Sequence, residues 1–303
     1  MSTRAPADAF LGAPIETDPA RIDADIAVIG LPFGSPYPSP GATAGCADAP
    51  AAIRRRSARL ARFRGHWDFD LGAPLLDPLT GPRLVDAGDV PGAPADGTSN
   101  HAASEAAVRA ILDRGALPVA LGGDDSVPIP FLRAFAGRGP FTLVQVDAHL
   151  DFRDEVDGVR DGYSSPMRRA SEMPHIGRIV QVGVRGVGSA RPADVEDARA
   201  AGNLIVTARE LHERGVASVL AAVPEGPVLL AFDADGLDPS VCAAVAAPAP
   251  GGLSYDEAMT LVRGLRPRLA GAVFTELVPD RDPLEIGTLA VLRLVIAAIA
   301  APA

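Results

Sequence analysis

The chain is poor in the residues that staple a protein together. Two cysteines, Cys46 and Cys242, stand in 303 residues. They are too few and too far apart for a disulfide framework or a thiolate metal site, and they read as two reduced thiols of a cytoplasmic protein. Positive charge is also short. Arg and Lys number 28 against 38 Asp and Glu, a formal net charge of −10. That excludes the basic face a nucleic-acid binder needs and favours cationic ligands or metals. The opening stretch MSTRAPADAFLGAPIETDPA has no apolar segment of the kind a secretory signal carries. The longest apolar stretch, IGTLAVLRLVIAAIAAPA at 286–303, is interrupted by Arg293. It reads as a buried helix, not a membrane span, so no membrane partner is expected.

What is there is apolar and rhythmic. Hydrophobic residues make up 48% of the chain, enough for a sizeable core. Short apolar runs recur as DIAVIG (25–30), RLVDAG (83–88), LPVALGG (117–123), FTLVQVDA (141–148), RIVQVGV (178–184), NLIVTA (203–208), PVLLAFDAD (227–235) and GAVFTEL (271–277). Helix-like patterns separate most of them, most clearly at 49–60, 99–115 and 254–269. The last begins with Ser254 as N-cap and Glu257 at the capping-box position. Uninterrupted apolar strands alternating with helices predict an α/β fold, a mostly parallel eight-stranded sheet between two helical layers. No repeat or linker breaks the alternation, so residues 1–303 are expected to form a single domain.

In such a sheet, ligands bind beyond the carboxyl ends of the strands, and there the acids collect. The third run ends in Asp124 and Asp125, and the fourth continues through Asp147, His149 and Asp151. The seventh leads into Asp233, Asp235 and Asp238, and the eighth into Glu276. In an extended segment, residues two apart face one way, so Asp147, His149 and Asp151 are expected to converge, as are Asp233 and Asp235. Like charges so close cannot all ionise unaided. Two divalent cations sharing carboxylates would resolve the conflict.

The segments GGDDS, DAHLD and FDADGLDP resemble the signature segments of the ureohydrolases, the family of arginase and agmatinase. APAPGGLSYDEA (247–258), LPFGSPYPSPGATAGCADAPAAIR (31–54), SSPMRRASE (164–172, the family's mid-chain loop) and ELVPDRDP (276–283) extend the resemblance over nearly the whole chain, in order and agmatinase-like. It implies a three-layer αβα fold, a binuclear Mn2+ site, and hydrolysis of a small guanidino substrate to an amine and urea. By position, Asp147 and Asp233 would bridge both metals. Asp125 and Asp151 would complete one site, His149 and Asp235 the other. Asp151 would also orient the attacking hydroxide, and Glu276 would hold the guanidinium. A homo-oligomer, trimer or hexamer, is implied too. The rival expectations are a hydrolase of another guanidino compound, such as a guanidino acid, and a metal-deficient relative without catalysis.

Two departures stand out. The family's Gly-Gly-Asp-His-Ser has its metal-binding His replaced by Asp125, which makes that site all oxygen. A His-Gly pair usual in the mid-chain loop is replaced by Tyr163 and Ser164, which leaves Tyr163 as candidate proton donor with an ordinary pKa near 10. Elsewhere the readings are structural. His101 is expected at the surface or as a cap near a helix start, and His66, His175 and His212 are not expected to be ligands. The basic run IRRRSARLARFR (53–64) reads as a solvated helix face or subunit contact. Arg153 and Arg160, in the charged stretch 151–163, are candidates for a substrate carboxylate.

Overall fold

Every one of the eight apolar runs is a strand, with ends within two residues of those expected. They are β1 (Ile26–Leu31), β2 (Leu84–Asp89), β3 (Leu117–Gly122), β4 (Phe141–Val146), β5 (Ile176–Val184), β6 (Leu204–Thr207), β7 (Val228–Asp233) and β8 (Leu269–Thr275). The computed structural model describes residues 2–35, 37, 45–77, 79–188 and 190–300. Residues 36 and 38–44 of the agmatinase-like stretch 31–54, and 301–303 of the terminal apolar run, therefore lie outside the described residues.

The strands form one sheet in the order β2-β1-β3-β8-β7-β4-β5-β6, and every pairing in it is parallel. Parallel strands covered on both faces have no polar side, which is why all six residues of β1, β4 and β7 are buried. The helices are α1 (Ala49–Ala61), α2 (Gly97–Asp113), α3 (Pro128–Arg133), α4 (Pro166–Ser171), α5 (Pro192–Ala200), α6 (Ala208–Arg214), α7 (Val216–Ala222), α8 (Tyr255–Leu265) and α9 (Ile286–Ile299). One core packs α1, α6, α7, α8 and α9 on one face of the sheet, through residues such as Ile53, Leu211, Val262 and Val295. A second core packs α2, α3, α4 and α5 on the other, through Val108, Phe131, Met167 and Ala198. These are the three expected layers.

Local expectations fare unevenly. The α8 capping box forms as read: Glu257 N donates to Ser254 Oγ at 3.3 Å, and Ser254 N to the Glu257 carboxylate at 2.9 Å. Helix α9 is buried along most of its length, and its Arg293 pairs with Asp68 and, at 2.8 Å, with Asp70. No helix among the described residues is long and apolar enough to cross a membrane. The mid-chain stretch 164–172 is not all loop, since Pro166 starts α4. The basic run is not simply a solvated face, because Arg54 is fully buried against Asp86 and Asp89. His101 is 7% exposed inside α2, where burial lowers its pKa to about 4. Asp96 caps that helix by accepting from Ser99 N.

The sheet order matters most for function. The strands that end in acids, β3, β8, β7 and β4, lie side by side at the centre. Residues far apart in sequence therefore open onto one crevice at the carboxyl edge.

Candidate metal centre

The pair after β3 divides its labour. The Asp124 carboxylate accepts from Ser126 N at 2.9 Å and from the Ser126 hydroxyl, and that hydroxyl accepts from Ser35 N at 2.6 Å. Asp124 thus braces the turn. Gly123 lets this turn approach β1, since a Cβ there would meet the Pro32 carbonyl oxygen at 2.2 Å. Asp125 enters the crevice at 5% exposure. Its Oδ1 accepts from Thr275 Oγ1 at 2.7 Å, and its buried Oδ2 has no hydrogen-bond partner. A buried carboxylate oxygen left alone is costly; burial and then the Asp147 charge push this carboxyl well above the usual range.

Two clusters of possible ligand atoms meet here. Asp147, His149 and Asp235 form one; Asp125, Asp147 and Asp233 form the other, with the atoms of each within 4.8 Å of one another. Asp147 belongs to both. Its Oδ1 accepts from His149 N at 2.6 Å and its Oδ2 from Gln145 Nε2 at 2.8 Å. Burial alone would raise its pKa, but the hydrogen bonds from His149 and Asp151 and the His149 charge hold it below the ordinary value. His149 Nδ1 lies 3.0 Å from Asp235 and 3.4 Å from Asp147; these bonds push the imidazole up to about 11. Burial, then neighbouring carboxylates, raise Asp233 and Asp235. Asp151 is in neither cluster. It shares the Gln145 amide with Asp147, at 3.0 Å.

The convergence does not come from strand alternation alone. Strand β4 ends at Val146, and Asp151 sits at φ 46°. Glu276, just past β8, sits at φ 64°. Left-handed backbone at two acids is strained, and it occurs where they enter the crevice. Glu276 Oε1 accepts from Asp125 N at 2.8 Å, and Oε2 lies 3.5 Å from Cys46 Sγ. Burial first, then the Asp124 charge, raise its pKa to about 8.

A cavity of about 300 Å³ opens onto these groups. Asp125, His149, Asp151, Asp233, Asp235 and Glu276 line it, and Tyr163, Ser164, Ala246, Ala247 and Arg281 complete the wall. The Tyr163 ring packs 4.3 Å from that of Tyr37, and burial, then Tyr37, raise its pKa. Asp238 stays outside, its carboxylate accepting from Ser240 N and Gly251 N. Arg160 pairs with Asp154 at 2.9 Å, and Arg153 lies 3.7 Å from Asp194; neither lines the cavity. His175 bonds the Leu132 carbonyl instead.

Four contributors escaped the reading of the sequence. Gln145 holds two acids at once and is itself held by Gln181, which takes Asn203 at 2.9 Å. The signal was an amide inside an apolar strand, two residues before Asp147. Arg185 donates to the carbonyls of Gly183, Asp235, Gly236, Leu237 and Ala249, which fixes the backbone behind Asp235. Cys46 touches Glu276, and Arg281 stands in the cavity wall. Nothing in their sequence spacing announces either.

Comparison with known proteins gives a consistent likeness. A sequence model of the arginase family matches residues 24–301. The chain is 33% identical over 293 residues to an agmatinase of Sodalis glossinidius, covering 92% of this chain and 88% of the relative. An agmatinase of Salmonella paratyphi B is 33% identical over 296 residues, covering 94% and 90%. Among solved structures, the proclavaminate amidino hydrolase of Streptomyces clavuligerus superposes with a TM-score of 0.83 at 28% identity, covering 97% of this chain and 96% of that one.

Proposed function

The chain belongs to the arginase family, and we propose that it is a binuclear Mn2+ amidinohydrolase cleaving a small guanidino compound to an amine and urea. The observation that carries this is the pair of acid clusters sharing Asp147 on the floor of a cavity also lined by Glu276. The residues fit two divalent ions. Five buried carboxylates face one imidazole, and Asp125 Oδ2 is a buried oxygen without a partner. An oxygen-rich set with one nitrogen suits Mn2+. Asp125, Asp147, Asp151 and Asp233 would hold one ion; Asp147, Asp233, His149 and Asp235 would hold the other. When bound, the pair supplies the positive charge that makes a water nucleophilic near neutral pH.

The protein's own groups do the rest. Glu276 pairs with the guanidinium and sets its plane; its raised pKa makes it a group that ionises fully when a cation arrives. Asp151, held by Gln145, orients the attacking water. Water adds to the guanidino carbon, the bond to the tail nitrogen breaks, and the departing amine takes a proton. Tyr163 stands in the cavity wall to supply it. Burial makes that phenol a weaker acid, so water is expected to share the task. The proposal includes one domain over 1–303, supported by the eight-stranded sheet that joins strands from both halves of the chain, a homo-oligomer of three or six, and a cytoplasmic setting, supported by two buried free thiols.

The test is urea release from a panel of guanidino compounds, agmatine included, with metal content measured on the same sample. Urea with two Mn2+ per chain is expected. Protein that binds two ions yet releases no urea from any of them overturns the reading, and protein that binds none leaves only the metal-deficient alternative.

A further inference from the structure

The cavity is lined mostly by acids, with a single guanidinium among them. Among the described residues, Arg281 is the one arginine in its wall. Its Nη1 donates to the carbonyls of Val245 at 2.6 Å and Ala246 at 3.0 Å, which anchors the side chain beside Ala246 of the same wall. No carboxylate pairs with it among the described residues, and Nε and Nη2 hold no acceptor there. Asp282, next in the chain, is occupied by Thr288 N at 2.6 Å and Thr288 Oγ1 at 2.7 Å. Residues 36 and 38–44, Pro36 and the run PSPGATA, bring no charged side chain. The guanidinium lies near enough for its charge to act on the Cys46 thiol, which touches Glu276.

A guanidino substrate held by Glu276 has a second end. If that end were an ammonium, it would meet Arg281 in the wall itself, while Asp157, whose charge reaches Tyr163, lies outside the lining residues. A carboxylate would meet two free N–H donors of a planar fork. Between the ends, Ala246, Ala247 and the Tyr163 ring offer an apolar wall for methylenes. We propose that Arg281 receives a carboxylate at the far end of the substrate, and that the compound cleaved is an ω-guanidino carboxylic acid, not an ω-guanidino amine. Arg281's role rests on the amidinohydrolase function proposed above and names its substrate class.

The test compares 4-guanidinobutyrate with agmatine, matched in length and opposite in tail charge, alongside 3-guanidinopropionate and arginine, on the Mn2+-loaded full chain. One of the two guanidino acids is expected to exceed agmatine in kcat/KM by ~10-fold or more, the weight of one charge-assisted contact. Arg281→Gln should lower the acid-to-amine ratio by ~10-fold or more, mainly through KM; Arg281→Lys, which keeps the charge, should retain most of the preference. Urea released with agmatine preferred, or with a ratio that Arg281→Gln does not move, overturns the carboxylate role and leaves the hydrolase standing. If no compound yields urea, the hydrolase falls and calorimetry with 4-guanidinobutyrate decides: binding lost in Arg281→Gln supports the anion subsite, and no binding to the unaltered chain overturns it.

Discussion

The sheet buries acid in two places and treats it in opposite ways. Beside β1 and β2, Asp86 is fully buried, yet it lacks nothing. Arg54 donates to both its oxygens at 2.8 and 3.0 Å, and Phe10 N and Gly88 N supply two more bonds. Asp89 takes another Arg54 nitrogen. At the carboxyl ends of β3, β4, β7 and β8, five buried aspartates gather around one imidazole, and one oxygen of Asp125 has no partner. Burial of acid is therefore not itself a functional sign. Burial without a matching cation is, because the missing charge must come from outside.

Removing one residue from each place should break the comparison most sharply. Arg54→Met strands the buried Asp86 and the half-buried Asp89 and should cost about 3–5 kcal/mol of folding stability, while Mn2+ binding by the folded fraction persists. Asp147→Ala or Asp233→Ala should do the reverse: loss of metal and of all urea release, with a smaller loss of metal-free stability than Arg54→Met causes. Denaturant unfolding of the metal-free proteins and Mn2+ titration measure both. If Asp147→Ala unfolds the metal-free chain as Arg54→Met does, the acids at the strand ends are structural and the contrast collapses.

Glu276 sharpens it next. As a substrate-facing acid it should be dispensable for metal but not for rate. Glu276→Gln keeps the shape and loses the charge, and kcat/KM should fall ~10-fold or more, at about 1.5–3 kcal/mol for a charge-assisted bond. Metal content should be unchanged. A variant that loses Mn2+ as well would move Glu276 from the substrate to the metals.

How much of this contrast was legible depends on the kind of physics involved. The strands were legible because a parallel sheet covered on both faces demands runs such as VLLAFD with no polar break. Their order was not. Strand β8 inserts between β3 and β7, and no residue of LAGAVFT says so. Asp147, His149, Asp233 and Asp235 were legible from two-residue spacing at strand ends. That spacing overreached at Asp151, which needs a left-handed backbone to approach. Arg54 reads in sequence like its exposed neighbour Arg55, and only the acids on β2 make it a core residue. Arg281 and Cys46 meet the site from three-residue 3-10 turns, too short to carry a periodic signal.

The unmatched charge should also show in how stability follows pH. In the metal-free protein Glu276 keeps its proton to about 8 against 4.5 ordinarily, and His149 keeps its proton to about 11 against 6.5. Both bind protons more tightly folded than unfolded, so both lose stabilising effect as pH rises. His101, lowered to about 4, works the other way, but its contribution is complete by 6.5. Between pH 6.5 and 8 the metal-free protein should therefore lose stability, on the order of 3 kcal/mol. With saturating Mn2+ the trend should reverse, because metal binding displaces those protons. Unfolding midpoints across that window, with and without Mn2+, test it; a flat metal-free profile would mean the acids are already compensated.

The smallest effect expected is at Asp125, where the contrast can be tuned. Thr275 occupies Oδ1, so Asp125 offers one oxygen, much as an imidazole offers one nitrogen. The difference lies in the proton. Burial and Asp147 hold the Asp125 carboxyl well above its ordinary range, so an incoming ion competes with a proton more strongly there than at an ordinary aspartate, and metal affinity at this site should depend on pH. An imidazole among acids competes too, but as a neutral ligand it removes one negative charge from an overcharged site. Asp125→His should therefore tighten the weaker Mn2+ site by ~3–10-fold at pH 7 and keep or raise urea release. The gain should shrink as pH rises, because the aspartate then ionises without help. Calorimetric Mn2+ titrations of both proteins at pH 6.5 and 8.5 measure this. A histidine variant that binds more weakly at both values would show that Asp125 is a competent ligand already matched to its metal. In that case the replacement of the family's usual histidine tunes the site, and the lone oxygen is held ready for the ion.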